Sequence, residues 1–115
     1  MAYLALIVED VVINKWEISD QGLLIGRAKG CDVQIDDQSV SSRHARVLVE
    51  KDPYFNDNQL VFIEDLNSTN GTEHNGRTVS KAQLNDGDDI KIGFNHFRFI
   101  SEDGLNLDET AVILN

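Results

Sequence analysis

Leu60-Val61-Phe62-Ile63-Glu64-Asp65-Leu66-Asn67-Ser68-Thr69-Asn70-Gly71-Thr72-Glu73-His74-Asn75-Gly76 is the stretch that decides the fold class. Its first seven residues, a mixture of apolar and acidic side chains, read as a strand. Two Asn-Gly steps five residues apart follow, and both residue types tolerate positive φ, so each step marks a tight turn. They bracket a segment with room only for another very short strand. The same grammar extends in both directions. Upstream, Ala45 to Glu50 reads as a strand, joined to Leu60 by the connection Lys51 to Gln59 with its proline and two asparagines.

Further back, Tyr3 to Val8 reads as a strand buried on both faces, and Val11 to Ile18 as a second with Trp16 as a core anchor. Asp20-Gln21-Gly22 is a turn, Leu23-Leu24-Ile25 a third strand stopped by Gly26, and Lys29 to Asp32 a turn before the alternating Val33-Gln34-Ile35. Downstream, Leu84 to Gly87 is a turn, while Ile90 to Ile92 and Phe97 to Phe99 alternate on either side of a turn at Gly93 to Asn95. No helical stripe precedes residue 100. About ten short strands, with turn signals every 8–12 residues or so, read as a sandwich or barrel. From Ser101 the pattern becomes acidic and loose, so residues 1–100 are expected to form one domain and 101–115 an acidic linker and tail. The apolar end of that tail, Ala111 to Leu114, admits the alternative of one last strand.

Composition sets the outer bounds. At 115 residues and 12.9 kDa, 41% hydrophobic and 26% charged, the chain suits one globular core. No run approaches the roughly 20 apolar residues of a membrane helix, and no leader pattern opens the chain. The single cysteine, Cys31, excludes an internal disulfide and a paired-cysteine metal site, and suits a reducing compartment, so a cytoplasmic location is expected. A formal charge of −10 disfavours nucleic acid and anionic membrane surfaces as partners. Against that field, Arg27, Lys29, Arg43 and Arg46 fall in one window of the chain, a local cationic spot suited to a small anion.

Three loops carry the chemistry: Gly26-Arg27 after one strand, Ser41-Ser42-Arg43-His44 before another, and Asn67 to Thr72 between two more. Loops at strand ends are where binding residues concentrate. A phosphorylated side chain carries close to two negative charges and three acceptor oxygens. Its reader needs a guanidinium and hydroxyl donors on a stiff frame. Arg27, Ser41, Ser42, Thr69 and Asn70 are the candidate donors. Three or four charge-assisted bonds at about 1.5–3 kcal/mol each support micromolar binding, about −8 kcal/mol. The Asn70 amide both donates and accepts, which suits the main chain of an extended peptide. Taken singly, each residue has a plainer role: Arg27 as a solvated turn residue, Ser41 and Ser42 as turn hydroxyls, Asn70-Gly71 as a hairpin turn. His44 and Ser68 are read as structural hydrogen bonders. The order and spacing of all three loops favour a site.

That order and spacing resembles the forkhead-associated (FHA) domain family. The resemblance rests on Gly26-Arg27, Ser41-Ser42-Arg43-His44-Ala45, Asp65 to Thr72, Asn75-Gly76, Leu84 to Asp88 and Ile90 to Gly93, and covers roughly residues 3 to 100. It implies an all-β fold, an antiparallel β-sandwich of about eleven short strands, and a non-catalytic module that recognises phosphothreonine peptides in signalling. By the resemblance Arg27 and Ser41 are the phosphate ligands, helped by Thr69, while Ser42 stands with them as a candidate hydroxyl donor on its chemistry alone. Asn70 holds the peptide main chain, and Gly26, His44, Ser68 and Gly71 are architectural. The family often has a basic residue directly after the serine; here that place is Ser42, which leaves Arg43 outside the ligand set. Preference for phosphothreonine over phosphoserine follows if the extra methyl fills an apolar pocket, where such a group discriminates by roughly 10–200-fold.

Two other functions compete. Catalysis would need Ser41 and His44 to face each other, yet no Gly-x-Ser-x-Gly elbow occurs, and Asp36-Asp37 with His44, His74 and His96 lacks metal-ligand spacing. No enzyme activity, metal or cofactor is expected. A sandwich that binds partners without phosphate, by an exposed edge or the tail, is the alternative. Finally, Asp108-Glu109-Thr110-Ala111-Val112-Ile113 reads as a candidate kinase target. Phosphorylated Thr110 would then occupy the site of its own or a neighbouring chain; otherwise it simply begins an edge strand.

Overall fold

In the computed structural model, which describes residues 2–55 and 58–102, eleven strands form two sheets and no helix occurs among the described residues. The strands are β1 (Ala2–Val8), β2 (Val11–Glu17), β3 (Leu23–Gly26), β4 (Val33–Gln34), β5 (Ala45–Lys51) and β6 (Gln59–Asp65). There follow β7 (Thr72–His74), β8 (Arg77–Thr78), β9 (Lys81–Gln83), β10 (Asp89–Ile92) and β11 (Asn95–Ser101). One sheet has the order β2-β1-β11-β10-β7-β8, the other β4-β3-β5-β6-β9. The pairs are antiparallel except β3 with β4, which run parallel, a small departure from the all-antiparallel expectation. Parallel pairing arises because the chain leaves β3 at Gly26 and loops back to enter β4 in the same direction.

The sandwich interior explains the alternation. Leu4, Ile90, Ile92, Phe97 and Phe99 from the six-stranded sheet meet Ile25, Val33, Ala45, Val47 and Ile63 from the other, all buried. Trp16 lies at the margin of this core, half-buried, with its ring 6.2 Å from that of Phe97. It packs against the core from an edge strand and does not anchor its centre. β1 is buried only at Leu4 and Ala5, not on both faces throughout. Because β2 is the sheet edge, Val11, Val12 and Ile13 stay exposed, and a bulge between Leu6 and Ile7 leaves Ile13 without an opposite residue.

Register fixes where the loops emerge. Ile25 lies opposite Ala45, and Ala45 opposite Asp65, so three neighbouring strands reach the same row together. Gly26-Arg27, His44 and Leu66, each one step beyond that row, therefore start or end their loops side by side. The chain then crosses to the other sheet, where β7 begins at Thr72 opposite Ile92.

The two Asn-Gly steps differ. Asn75 (φ 50°) and Gly76 (φ 86°) both take the left-handed region and make the β7–β8 hairpin turn as read. At the first step Gly71 is left-handed (φ 84°) but Asn70 is not; Asn67 takes that conformation (φ 59°), and the segment is an inter-sheet loop, not a hairpin turn. The β1–β2 turn uses Glu9 and Asp10, both with positive φ and without glycine, which is why it left no turn signal in the sequence.

Phe97 is wholly buried while Phe94, three residues earlier, is 78% exposed. Phe97→Ala is expected to cost about 3–5 kcal/mol of unfolding free energy, and Phe94→Ala less than about 0.5 kcal/mol, measured by urea denaturation. Equal losses would contradict this packing.

Candidate phosphopeptide-binding site

The β3–β4, β4–β5 and β6–β7 loops are laced together at one pole. The Arg27 N–H donates to Ser41 O at 3.0 Å and the Ala28 N–H to Ser42 O at 3.1 Å. The Thr69 N–H donates to Ser41 Oγ at 3.0 Å, and Asn70 Nδ2 to Ser39 O at 3.0 Å. Such an approach needs glycine at 26: a Cβ there would lie 2.2 Å from Ser42 O.

His44 is the tie at the centre. It is fully buried, and the Ser41 N–H donates to its Nδ1 at 3.0 Å. With Nδ1 accepting, Nε2 carries the proton and donates to Gly71 O at 2.8 Å. One ring thus bridges the Ser41 loop to the Gly71 loop. Neither ring nitrogen is free to serve Ser41 Oγ as a base, so the pair is not a hydrolytic dyad. Among the described residues no cluster of three metal-ligating side chains occurs.

Asp65 performs the matching task at the β6 end, a role that sequence reasoning left unassigned. Its Oδ1 accepts from the hydroxyls of Ser68 (2.5 Å) and Thr72 (2.7 Å), and its Oδ2 from the Ser68 N–H (3.1 Å). Ser68 Oγ in turn accepts from the Gly71 N–H at 2.9 Å. Burial opposes ionisation of Asp65, but the hydrogen bonds from Ser68 and Thr72 outweigh it and hold the carboxyl below its ordinary value. Asp37, considered in the sequence only as a metal candidate, shapes the β4–β5 loop instead. The Ser39 N–H lowers its pKa most, followed by the Ser39 hydroxyl and Asn95 Nδ2. The signal for both was an Asp two or three residues before a Ser, the spacing of local side-chain turns.

The candidate ligand atoms face outward. Arg27, Ser42, Thr69 and Asn70 are exposed and Ser41 is half-buried. The Arg27 guanidinium makes no ion pair or hydrogen bond to another described residue. Ser41 Oγ accepts from Thr69 but keeps its own proton to donate. Among the described residues the Ser42 and Thr69 hydroxyls have no partner, and Asn70 keeps its carbonyl oxygen and one N–H. Arg43 is exposed beside them. Arg46 drops out of the cationic cluster, since its Nε binds Glu64 at 2.7 Å across β5 and β6. Thr110 lies outside the described residues.

A model of the FHA domain matches residues 23–93. The chain belongs to the FHA domain family. FHA domain-containing protein FhaA of Mycobacterium tuberculosis is 35% identical over 78 residues, 68% of this chain and 14% of FhaA. The chain spans less than half the length of the curated relatives it matches. Among solved structures, one from a structural and functional analysis of phosphothreonine-dependent FHA domain interactions is 29% identical. It superimposes with a TM-score of 0.71 over 88% of this chain and 96% of the other. Mycobacterium tuberculosis EmbR in complex with a low-affinity phosphopeptide is 30% identical, with a TM-score of 0.71 over 86% of this chain and 24% of EmbR.

A depressed carboxyl contributes stability above its unfolded pKa of about 3.8 and loses it as pH falls through the folded value. The FHA domain should therefore weaken below about pH 4. Asp65→Asn, which turns an amide N–H toward the Ser68 N–H, should lose about 1–3 kcal/mol at pH 7 and show a flatter acid limb in urea titrations. A variant as stable as its parent at neutral pH would refute the role given to Asp65.

Proposed function

We infer that this FHA domain is a non-catalytic module that recognises phosphothreonine-containing peptides and so mediates phosphorylation-dependent protein–protein contact in signalling. The observation that carries the reading is the Arg27 guanidinium, without a partner among the described residues and held by its own backbone against the Ser41 loop in a protein of net charge −10. An exposed cation with no carboxylate partner among the described residues, on a loop bonded to the one that carries the Ser41 and Ser42 hydroxyls, suits a dianionic ligand. Arg27 and Ser41 take the phosphate, with Ser42 and Thr69 assisting. Asn70 pairs with the peptide main chain, and Gly26, His44, Ser68 and Gly71 hold these groups in place. The domain comprises residues 1–100 with 101–115 as tail, it works in the cytoplasm, and its partner is the product of a Ser/Thr kinase. Nucleic acid and membrane are not partners.

A sandwich that binds without phosphate would tolerate a pole whose donors are satisfied internally, and among the described residues Arg27, Ser42 and Thr69 are not. Arg27→Ala should weaken binding of a phosphothreonine peptide by more than about 100-fold, the scale of losing about 3 kcal/mol. Fluorescence polarisation checks this, with the unphosphorylated peptide as reference and an unchanged denaturation midpoint. Undiminished affinity would remove the site assignment, and partner binding that survives phosphatase would favour the phosphate-independent alternative.

The same site accepts a ligand from the chain itself in this proposal. Phosphorylated Thr110, with its acidic lead-in Asp108-Glu109, occupies the site in cis or in a second copy. A chain phosphorylated at Thr110 should then dimerise, or bind external phosphopeptide about tenfold more weakly, an effect relieved when the occupied chain carries Arg27→Ala. Size-exclusion chromatography with a competition titration distinguishes these from a monomer that binds unhindered, which would end the idea.

A further inference from the structure

Strand β2 is the free edge of the six-stranded sheet. Val11, Val12 and Ile13 on it are all exposed, with Val8 beside them at the end of β1. A strand edge presents unpaired N–H and C=O groups, and proteins blunt it with charge, proline or a cover, because an apolar edge recruits another strand. The far end of β2 has Lys15 and Glu17 as guards; the Val11–Ile13 end has no charge. The bulge between Leu6 and Ile7 twists this end but leaves its aliphatic side chains in water. An extended apolar segment is the cover that it suits.

The chain itself delivers one. Tyr3 lies opposite both Ile100 and Glu17, so β11 and β2 end in the same row. Both are antiparallel to β1 and therefore parallel to each other. A segment that follows Ser101 and reverses direction thus runs antiparallel along the outside of β2. Crossing from β11 to that position takes three strand spacings, about 14 Å. Six steps of chain, from Ser101 to Leu107, reach about 20 Å. With Leu107 opposite Glu17, antiparallel pairing sets Glu109 opposite Lys15, Thr110 opposite Asn14, Val112 opposite Val12 and Ile113 opposite Val11. Charge meets charge, polar meets polar, and β-branched meets β-branched, the cross-strand combinations that stabilise a sheet. Lys15 has no ion pair among the described residues, its ammonium lying 4.8 Å from the centre of the Tyr3 ring, so Glu109 finds it available.

We propose that in the unphosphorylated chain residues 109–113 dock on the β2 edge as an antiparallel twelfth strand, with Val112 and Ile113 covering Val12 and Val11. A second copy of the chain is the competing occupant. Antiparallel pairing of β2 with itself along its whole length, however, sets Val11 opposite Glu17 and Ile13 opposite Lys15, which leaves every aliphatic end facing a charge. The tail matches the edge and β2 does not match itself. This docking does not depend on the phosphothreonine reading, and it concerns the chain before Thr110 is phosphorylated.

The test is amide hydrogen exchange, followed by NMR on the unphosphorylated 115-residue chain. Val112 and Ile113 should exchange at least about tenfold more slowly than an unstructured segment, and β2 should be protected with them. The double variant Val112→Asp/Ile113→Asp should lose that protection in both segments while Val47, in the buried core, keeps its own. Register is checked by a second variant, Val12→Cys/Val112→Cys, which should form its disulfide within one chain on oxidation; Cys31 is buried and does not compete. Tail amides that exchange at unstructured rates overturn the proposal. So does a disulfide that forms only between chains, or a β2 protection that rises with protein concentration and survives the double variant, since either outcome gives the edge to a second copy.

Discussion

The structure of the binding pole depends on one buried imidazole. His44 joins the Ser41 backbone N–H to the Gly71 carbonyl, so two loops that come from different strand pairs share one rigid strut. A solvent-exposed hydrogen bond of this kind would contribute little, since water competes for both partners. Fully buried, the ring has no such competitor, and leaving either partner unmade would cost about 1–3 kcal/mol. The strut also fixes direction. Because Nδ1 is spent on the Ser41 N–H, the Ser41 side chain is turned away from the ring and toward the β6–β7 loop, where the Thr69 N–H reaches it. The ring that holds the loops is thereby inside, and the candidate donors Arg27, Ser42 and Thr69 lie outside.

Asp65 and Asp37 extend the same division of labour. Each is a carboxylate that satisfies loop N–H and hydroxyl groups with no strand to pair with. Irregular backbone at a buried strand end must find partners for its polar groups, and short acidic side chains supply them without adding bulk. The domain's large negative charge is thus partly structural, placed directly beneath loops whose outer face needs to be cationic.

Much of this was legible in the chain. The strands came from alternation and turn residues, and the three site loops from the company that Arg27, Ser41 and Asn70 keep. What escaped the sequence were pairings that depend on register. Arg46 looks as available as Arg27 until β5 and β6 are aligned and Glu64 falls opposite it. Ser39 and Phe94 lie 55 positions apart, and only the meeting of the β4–β5 loop with the β10–β11 turn brings them together. The β1–β2 turn was silent for a different reason. Glu9 and Asp10 adopt left-handed φ values that their residue types rarely choose, so the strands impose the turn and the turn does not announce the strands.

For a domain with twenty acidic and ten basic residues, the proposed dianionic ligand raises an apparent conflict. Screening resolves it. At physiological ionic strength the Debye length is about 8 Å, so carboxylates scattered over a molecule whose longest dimension is 46 Å contribute little at the pole. What remains is the local balance. There Arg27 and Arg43 have no acidic partner among the described residues, while Asp37 and Asp65 are engaged by loop N–H and hydroxyl donors. For the proposed phosphopeptide, a single phosphate on an otherwise uncharged segment approaches only the pole where Arg27 and Arg43 lie.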